Sequence, residues 1–204
     1  MGTRQNRPSR NTATILAVAM GMLLPATAIS AVLADLVRDG QRHEALQQLA
    51  AGAAVNAPAA DGSTALLWAV HRVDHELVQA LLKRGADADA RNVLGATPLA
   101  QAVELADERM VTLLLDAGAD PDLGNADAQT PLMLAARTGS LPIVKKLVAA
   151  GAKVNARETY RNQSALMWAI AEKHVEVAAF LIAKGAEVDV RAAESDWGNQ
   201  ITSE

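Results

Sequence analysis

The chain reads as an all-α solenoid, in which stacked helix-turn-helix units are joined by short β-hairpin fingers. Two series of residues carry that reading. Gly85-Ala86, Gly118-Ala119, Gly151-Ala152 and Gly185-Ala186 stand 33, 33 and 34 positions apart, and Gly52-Ala53 extends the series upstream by another 33. Thr64-Ala65-Leu66, Thr97-Pro98-Leu99, Thr130-Pro131-Leu132 and Ser164-Ala165-Leu166 run in phase with it at the same spacings. Two features in lockstep at such a period define a structural unit rather than a chance recurrence. Composition agrees: 50% of the residues are hydrophobic but only 2% are aromatic, which suits thin helix layers built from Ala, Leu and Val. A charged fraction of 21% is ordinary for a folded domain.

One unit can be derived residue by residue. Thr64 is placed to cap a helix, its hydroxyl accepting a first-turn N–H that has no partner within the helix. In two sister units the next residue is Pro98 or Pro131, at the position where a missing N–H costs a helix nothing. Leu66, Ala69 and Val70 fall on one helical face. Polarity rises from Arg72 to Asp74, where the first helix should stop. Leu77, Val78, Leu81 and Leu82 mark a second helix, and Gly85 ends it by adopting the left-handed conformation without penalty. An extended finger, Asp87 to Gly95, leads to the next cap. The phase predicts second helices near Glu44–Ala51, Glu76–Arg84, Arg109–Ala117, Pro142–Ala150 and Glu176–Lys184.

These motifs resemble the ankyrin-repeat family. Thr97-Pro98-Leu99-Ala100-Gln101-Ala102 and Thr130-Pro131-Leu132-Met133-Leu134-Ala135 match its Thr-Pro-Leu-His-x-Ala motif except at the His. Its Gly-His-x-Glu turn is seen best as Lys173-His174-Val175-Glu176, and its Gly-Ala-Asp-x-Asn ending as Gly151-Ala152-Lys153-Val154-Asn155. The motif His is Leu67, Ala100, Met133 or Met167 here, so the hydrogen-bond bracing it gives the family must be weaker or replaced. The resemblance implies a repeat domain over residues 29–191, with units at about 31–60, 61–93, 94–126, 127–160 and 161–193. Stacking of neighbours would supply the core that no unit can bury alone.

Residues 1–28 have the pattern of a secretory signal peptide. Arg4, Arg7 and Arg10 precede an apolar run from Ala13 to Leu24, which Pro25 and Ala26-Thr27-Ala28 close. The rival reading is an uncleaved membrane anchor, because no charge occurs between Asn11 and Ala34. Repeat phase favours cleavage: it puts the first helix at about Ala31 to Asp39, with Leu33, Leu36 and Val37 facing the core, and an anchor would consume it. Export to a bacterial periplasm or beyond is the expectation, with inner-membrane anchoring as the alternative. Loss of residues 1–28 leaves 16 basic and 23 acidic residues and moves the formal charge from −4 to −7. That balance disfavours nucleic acid and anionic lipid as main partners.

Nothing in the sequence supports catalysis. His43, His71, His75 and His174 lie at or near interhelical turns and form no ligand cluster. Asp87-Ala88-Asp89 and Asp120-Pro121-Asp122 superficially resemble calcium loops, but they occupy a finger position common to the units and lack the Glu at the twelfth position. No nucleophile elbow, phosphate loop or His-Glu-x-x-His is present. The expectation is a non-enzyme with no cofactor, no metal and no small-molecule substrate.

The family resemblance implies a protein partner lying across the groove formed by the fingers and the first helices. Carried over by phase, the candidate contacts are Trp68, His71, Arg72, Glu104, Arg137 and Glu172 on the helices, with Arg91, Val93, Leu94, Tyr160 and Arg161 on the fingers. Trp68 and Trp168 share one phase, which fits either repeat-to-repeat packing or an aromatic anchor. Val93-Leu94 is an apolar loop pair, either packed under its neighbours or open to a partner. The finger before Ser164 is one residue longer than its sisters and holds Tyr160, the only Tyr in the chain, beside Arg161. Insertions in repeat proteins map to one face, often the binding face. Three function classes compete: an exported interaction scaffold, a membrane-tethered spacer, and an accessory or regulatory subunit of a periplasmic enzyme. The last unit ends in apolar residues with few charges, including Met167, Ile170, Val177, Phe180 and Leu181, where a terminal repeat needs a polar outer face. Either a longer array or self-association through that end is expected, and residues 194–204 are read as a tail or the start of a further unit.

Overall fold

A computed structural model describes residues 33–188. The signal segment 1–28 and the tail 194–204, with Trp197, lie outside the described residues. Among the described residues, ten helices form five antiparallel pairs. The first pair is α1 (33–38) and α2 (Arg42–Ala50), followed by α3 (Ala65–His71) with α4 (His75–Lys83) and α5 (Pro98–Glu104) with α6 (Glu108–Asp116). The last two pairs are α7 (Pro131–Thr138) with α8 (Leu141–Ala149) and α9 (Ala165–Ala171) with α10 (Val175–Ala183). Helices α3, α5, α7 and α9 pack side by side as one layer, and α2, α4, α6, α8 and α10 form the other.

Helices α3, α5, α7 and α9 start at the caps that the repeat phase predicts. Thr64, Thr97, Thr130 and Ser164 accept from the N–H of Leu67, Ala100, Met133 and Met167 at 3.3, 3.1, 3.4 and 3.5 Å, and all four caps are buried. Pro98 and Pro131 open their helices. The second helices begin slightly before the expected positions and end one residue earlier, because Asp74 and Asp107 are the caps that accept from Leu77 and Met110. Between the two helices of a pair sits one left-handed residue: Val73, Ala106, Gly139 or Lys173.

The core is continuous from end to end. Leu66, Leu81, Leu99, Met110, Leu114, Leu132, Ile143, Leu147 and Leu181 are almost completely excluded from solvent. Leu33 and Val37 are buried and Leu36 packs against the same core, as the repeat phase requires of the first helix. No helix among the described residues is long and apolar enough to cross a membrane.

Side chains also tie the repeats together at the finger bases. Asn56, Asp89, Asp122 and Asn155 each accept, through Oδ1, from a backbone N–H of the following unit: Asp87, Asp120, Lys153 and Glu187, at 2.7–2.9 Å. The two Asn also donate to the carbonyls of Gly85 and Gly185. The Asp-x-Asp motif is therefore a staple between repeats. The fingers themselves are hairpin turns closed by single backbone bonds such as Ala59 N–H to Ser63 and Asn125 N–H to Gln129, too short for a strand assignment among the described residues.

Candidate functional site

A row of side chains crosses the first-helix layer, built from residues four and seven places after each cap. On α3, Trp68 meets His71 edge to face with centroids 5.6 Å apart, and the His71 ring lies 2.9 Å from the Gln101 amide on α5. One turn along α5, Glu104 faces Arg137 of α7 at 3.8 Å. The Arg137 guanidinium in turn stands 5.1 Å from the centroid of the Trp168 ring on α9. The row exists because helix neighbours three apart share a face and each unit repeats that face. Trp68 and Trp168 are half-buried and pack against the core, as the packing reading of this phase requires. Their indole N–H groups, buried, have no acceptor among the described residues. Such an unpaired donor costs about 1–3 kcal/mol.

At the α9 end the row opens into a cleft of about 320 Å³, lined by Asp127, Gln129, Glu158, Tyr160, Arg161, Gln163 and Trp168. Two fingers frame it, linked by the Thr159 N–H and hydroxyl, both of which donate to the Asp127 carbonyl at 2.9 and 3.0 Å. The Tyr160 ring is 76% exposed, and the Arg161 guanidinium lies 5.6 Å from its centroid. Tyr160 therefore offers a large surface that serves no core.

What holds the long finger open is Glu158. Its carboxylate, only 4% exposed, accepts from the N–H groups of Tyr160, Arg161 and Gln163 at 2.7–2.9 Å. In the two preceding fingers the same phase is Asn92 and Asn125, each accepting from two N–H groups through one oxygen. Glu has one more methylene and a second strong acceptor, which matches a finger one residue longer. Burial alone would raise the Glu158 carboxyl, but the three N–H donors and the Arg161 charge outweigh it and hold the group below the usual carboxylate range. In the first finger, Asp61 is likewise held low, chiefly by the Ser63 N–H. These acceptors brace each finger from within.

The eleven sequence-predicted contacts divide in the structure. Trp68, His71, Glu104 and Arg137 belong to the row, while Tyr160 and Arg161 flank the cleft. Val93 and Leu94 form an exposed apolar finger tip, at 74% and 78%, so the pair is not packed under its neighbours. Three stand apart. Arg72 turns toward the interhelical loops and donates to the Arg38 carbonyl at 3.3 Å. Arg91 lines a separate cleft at the finger bases with Asp122, Asn125 and Arg157. Glu172 is the exposed C-cap residue of α9. Sequence reasoning missed Gln101, Gln129, Gln163 and Glu158; a polar Gln101 at the phase of two Trp residues was the available signal.

Among the described residues no group of three or more His, Asp or Glu could hold a metal ion. His75 instead binds Asp107 of the next unit at 2.8 Å, and His174 donates from Nε2 to the Arg137 carbonyl at 3.0 Å. A family model described as ankyrin repeats (3 copies) matches residues 33–125 and again 107–192. No curated protein matches the chain.

Proposed function

Because the chain belongs to the ankyrin-repeat family, whose repeats generally mediate protein–protein interaction, we propose that it is an exported scaffold that captures a partner protein along the Trp68–Trp168 row and the finger tips. The observation that carries this reading is the cleft beside Trp168, where an exposed Tyr160 and Arg161 stand on a finger held rigid from beneath by Glu158. Tyr, Trp and Arg are enriched among the few residues that dominate interface energetics. The row adds Arg137 and Glu104, so the surface mixes aromatic anchors with both charge signs. Val93 and Leu94 add an apolar contact one finger away from the neighbouring Asp127 finger. Binding on this surface calls for no catalytic group, in keeping with a family whose members are typically interaction modules.

The partner's identity can be obtained by crosslinking in the native host, and the site by mutation. Tyr160→Ala with Arg161→Ala should weaken capture of that partner by about 2 kcal/mol or more. The melting temperature should hardly change, because Tyr160 and Arg161 are exposed. Undiminished capture by the double variant removes this finger from the site, and a large melting shift makes Tyr160 structural.

Export forms the second part of the proposal. Supporting it are the basic, apolar and small-residue pattern of residues 1–28 and the burial of Leu33 and Val37 in the repeat core, which an anchor extending through Ala34 would disrupt. The charge-free stretch before Asp35 favours the competing anchored form, in which the same surface would face outward from a membrane.

A further inference from the structure

The junctions between successive helix pairs are not tied equally. Between the first and second pairs, Arg42 binds Asp74 at 2.7 Å and also meets Glu76, while Arg72 donates to the Arg38 carbonyl. Between the second and third, the His75 ring lies 2.8 Å from the Asp107 carboxylate. Between the fourth and fifth, His174 packs over Gly139 and donates to the Arg137 carbonyl. Between α5–α6 and α7–α8 the turns share no such bond among the described residues. Glu104 and Arg137 come nearest, at 3.8 Å, and both are too exposed for the pair to hold much. Two positions account for the missing tie. Ser140 stands at the phase of His174, and Ala106 at that of Gly139, where a Cβ would lie 2.5 Å from the imidazole.

The fingers break at the same junction. Val93, Ala126 and Thr159 share a phase at the finger tips, spaced 33 apart. The Val93 N–H donates to the Asp61 carbonyl at 3.1 Å, and the Thr159 N–H to the Asp127 carbonyl at 2.9 Å. Repeat symmetry assigns Ala126 the Leu94 carbonyl, but that bond is absent among the described residues. These two fingers lead directly into α5 and α7. They touch without being bonded, since a Cβ on Gly95 would lie 3.2 Å from the Ala126 nitrogen. What remains across the junction is the buried core, with Leu99, Val103, Leu132 and Ala136, and the Asp122 staple to the Lys153 N–H. Apolar contact is non-directional and permits small sliding, whereas hydrogen bonds do not. We infer that the array rocks at this one junction as two blocks, α1–α6 and α7–α10, about the Asp122 staple. The row divides at the same place: Trp68, His71, Gln101 and Glu104 move with the first block, and Arg137, Trp168 and the Tyr160 cleft with the second. Rocking therefore changes the spacing between the two halves of the groove, a hinge motion of packed elements.

Hydrogen exchange of the free chain reads the fingers: the Ala126 amide should exchange about 10-fold or more faster than those of Val93 and Thr159. Spin labels read the blocks, because the chain contains no cysteine to remove. His43, Arg109 and Glu176 are exposed and share a phase. His43→Cys with Arg109→Cys spans the first two junctions, and Arg109→Cys with Glu176→Cys the last two. Both pairs should lie roughly 20 Å apart, two helix spacings. Double electron–electron resonance should give the broader distance distribution for the second pair. Ser140→His with Ala106→Gly copies the His174–Gly139 arrangement into the loose junction and should narrow that distribution to the width of the first. Equal widths in the two pairs overturn the inference, as does an Ala126 amide that exchanges as slowly as its counterparts. A second distribution left unchanged by the added histidine overturns it too. No partner enters these measurements, so they stand or fall apart from the binding surface.

Discussion

Gly139 shows how a single residue couples two repeats. It ends α7 in the left-handed conformation, at φ 74°, and a Cβ built there would lie 2.5 Å from the His174 ring. Gly118 also has positive φ, at 91°, but nothing lies within 4 Å of its Cβ position. The pair of sites therefore separates backbone strain from steric displacement. Gly118→Ala should cost about 1–2 kcal/mol through strain alone. Gly139→Ala should cost roughly 1–3 kcal/mol more, since it also pushes His174 off the Arg137 carbonyl. Urea denaturation measures both, and equal losses would show that the His174 contact holds nothing. The sequence revealed His174 as a turn residue but not its acceptor, because a bond across 37 positions depends on how closely the turns stack. Val73 occupies the same left-handed position as Gly139 in an earlier unit. Nothing in the structure explains why a β-branched residue stands there.

The fourth finger is the element in which an insertion and its compensation can be read together. Periodicity exposed the extra residue, and the lone Tyr gave it interest, yet Glu158 went unnoticed because exposed acidic residues are common in loops. Only burial reveals it as the acceptor for three N–H groups. Its carboxyl titrates below the ordinary range in the folded chain. The stability it contributes is therefore present in full above the unfolded Glu value of about 4.3 and is lost as pH falls through the lower folded value. Glu158→Gln turns an amide donor toward N–H groups that are themselves donors and should cost about 1–3 kcal/mol near neutral pH. The stability difference between wild type and Glu158→Gln should shrink as acid denaturation is followed below about pH 4. A difference independent of pH would mean that the ionised form is not what braces the finger.

At the scale of the molecule, the sequence was legible where physics repeats. The Thr or Ser caps recur in four units and the apolar phases and left-handed glycines in all five, and the helix pairs with their continuous core follow from them. The surface was less legible, since neighbouring phases on a short helix point to different clefts. Arg72 lies one position beyond His71, and that step turns it away from the row. The N-terminal region affects the whole particle through its charge. Cleavage near Ile29 would remove three Arg and no acid and leave the mature chain at −7. Intact-mass analysis of the exported protein should give a start at Ile29 or within two or three residues of it. A chain recovered from the membrane fraction with Arg4 to Arg10 still attached would establish the anchored form instead.

The staples at the finger bases have an evolutionary consequence. Asn56, Asp89, Asp122 and Asn155 are spaced 33 residues apart, and each grips a main-chain N–H that every non-proline residue possesses. The joint does not depend on which side chain its neighbour brings. Unequal recombination that duplicates or excises one whole period would recreate the same joint at the new boundary, whatever sequence arrives there. Units could thus be gained, lost or exchanged between genes without a matching second mutation, leaving the surface residues free to diverge toward new partners.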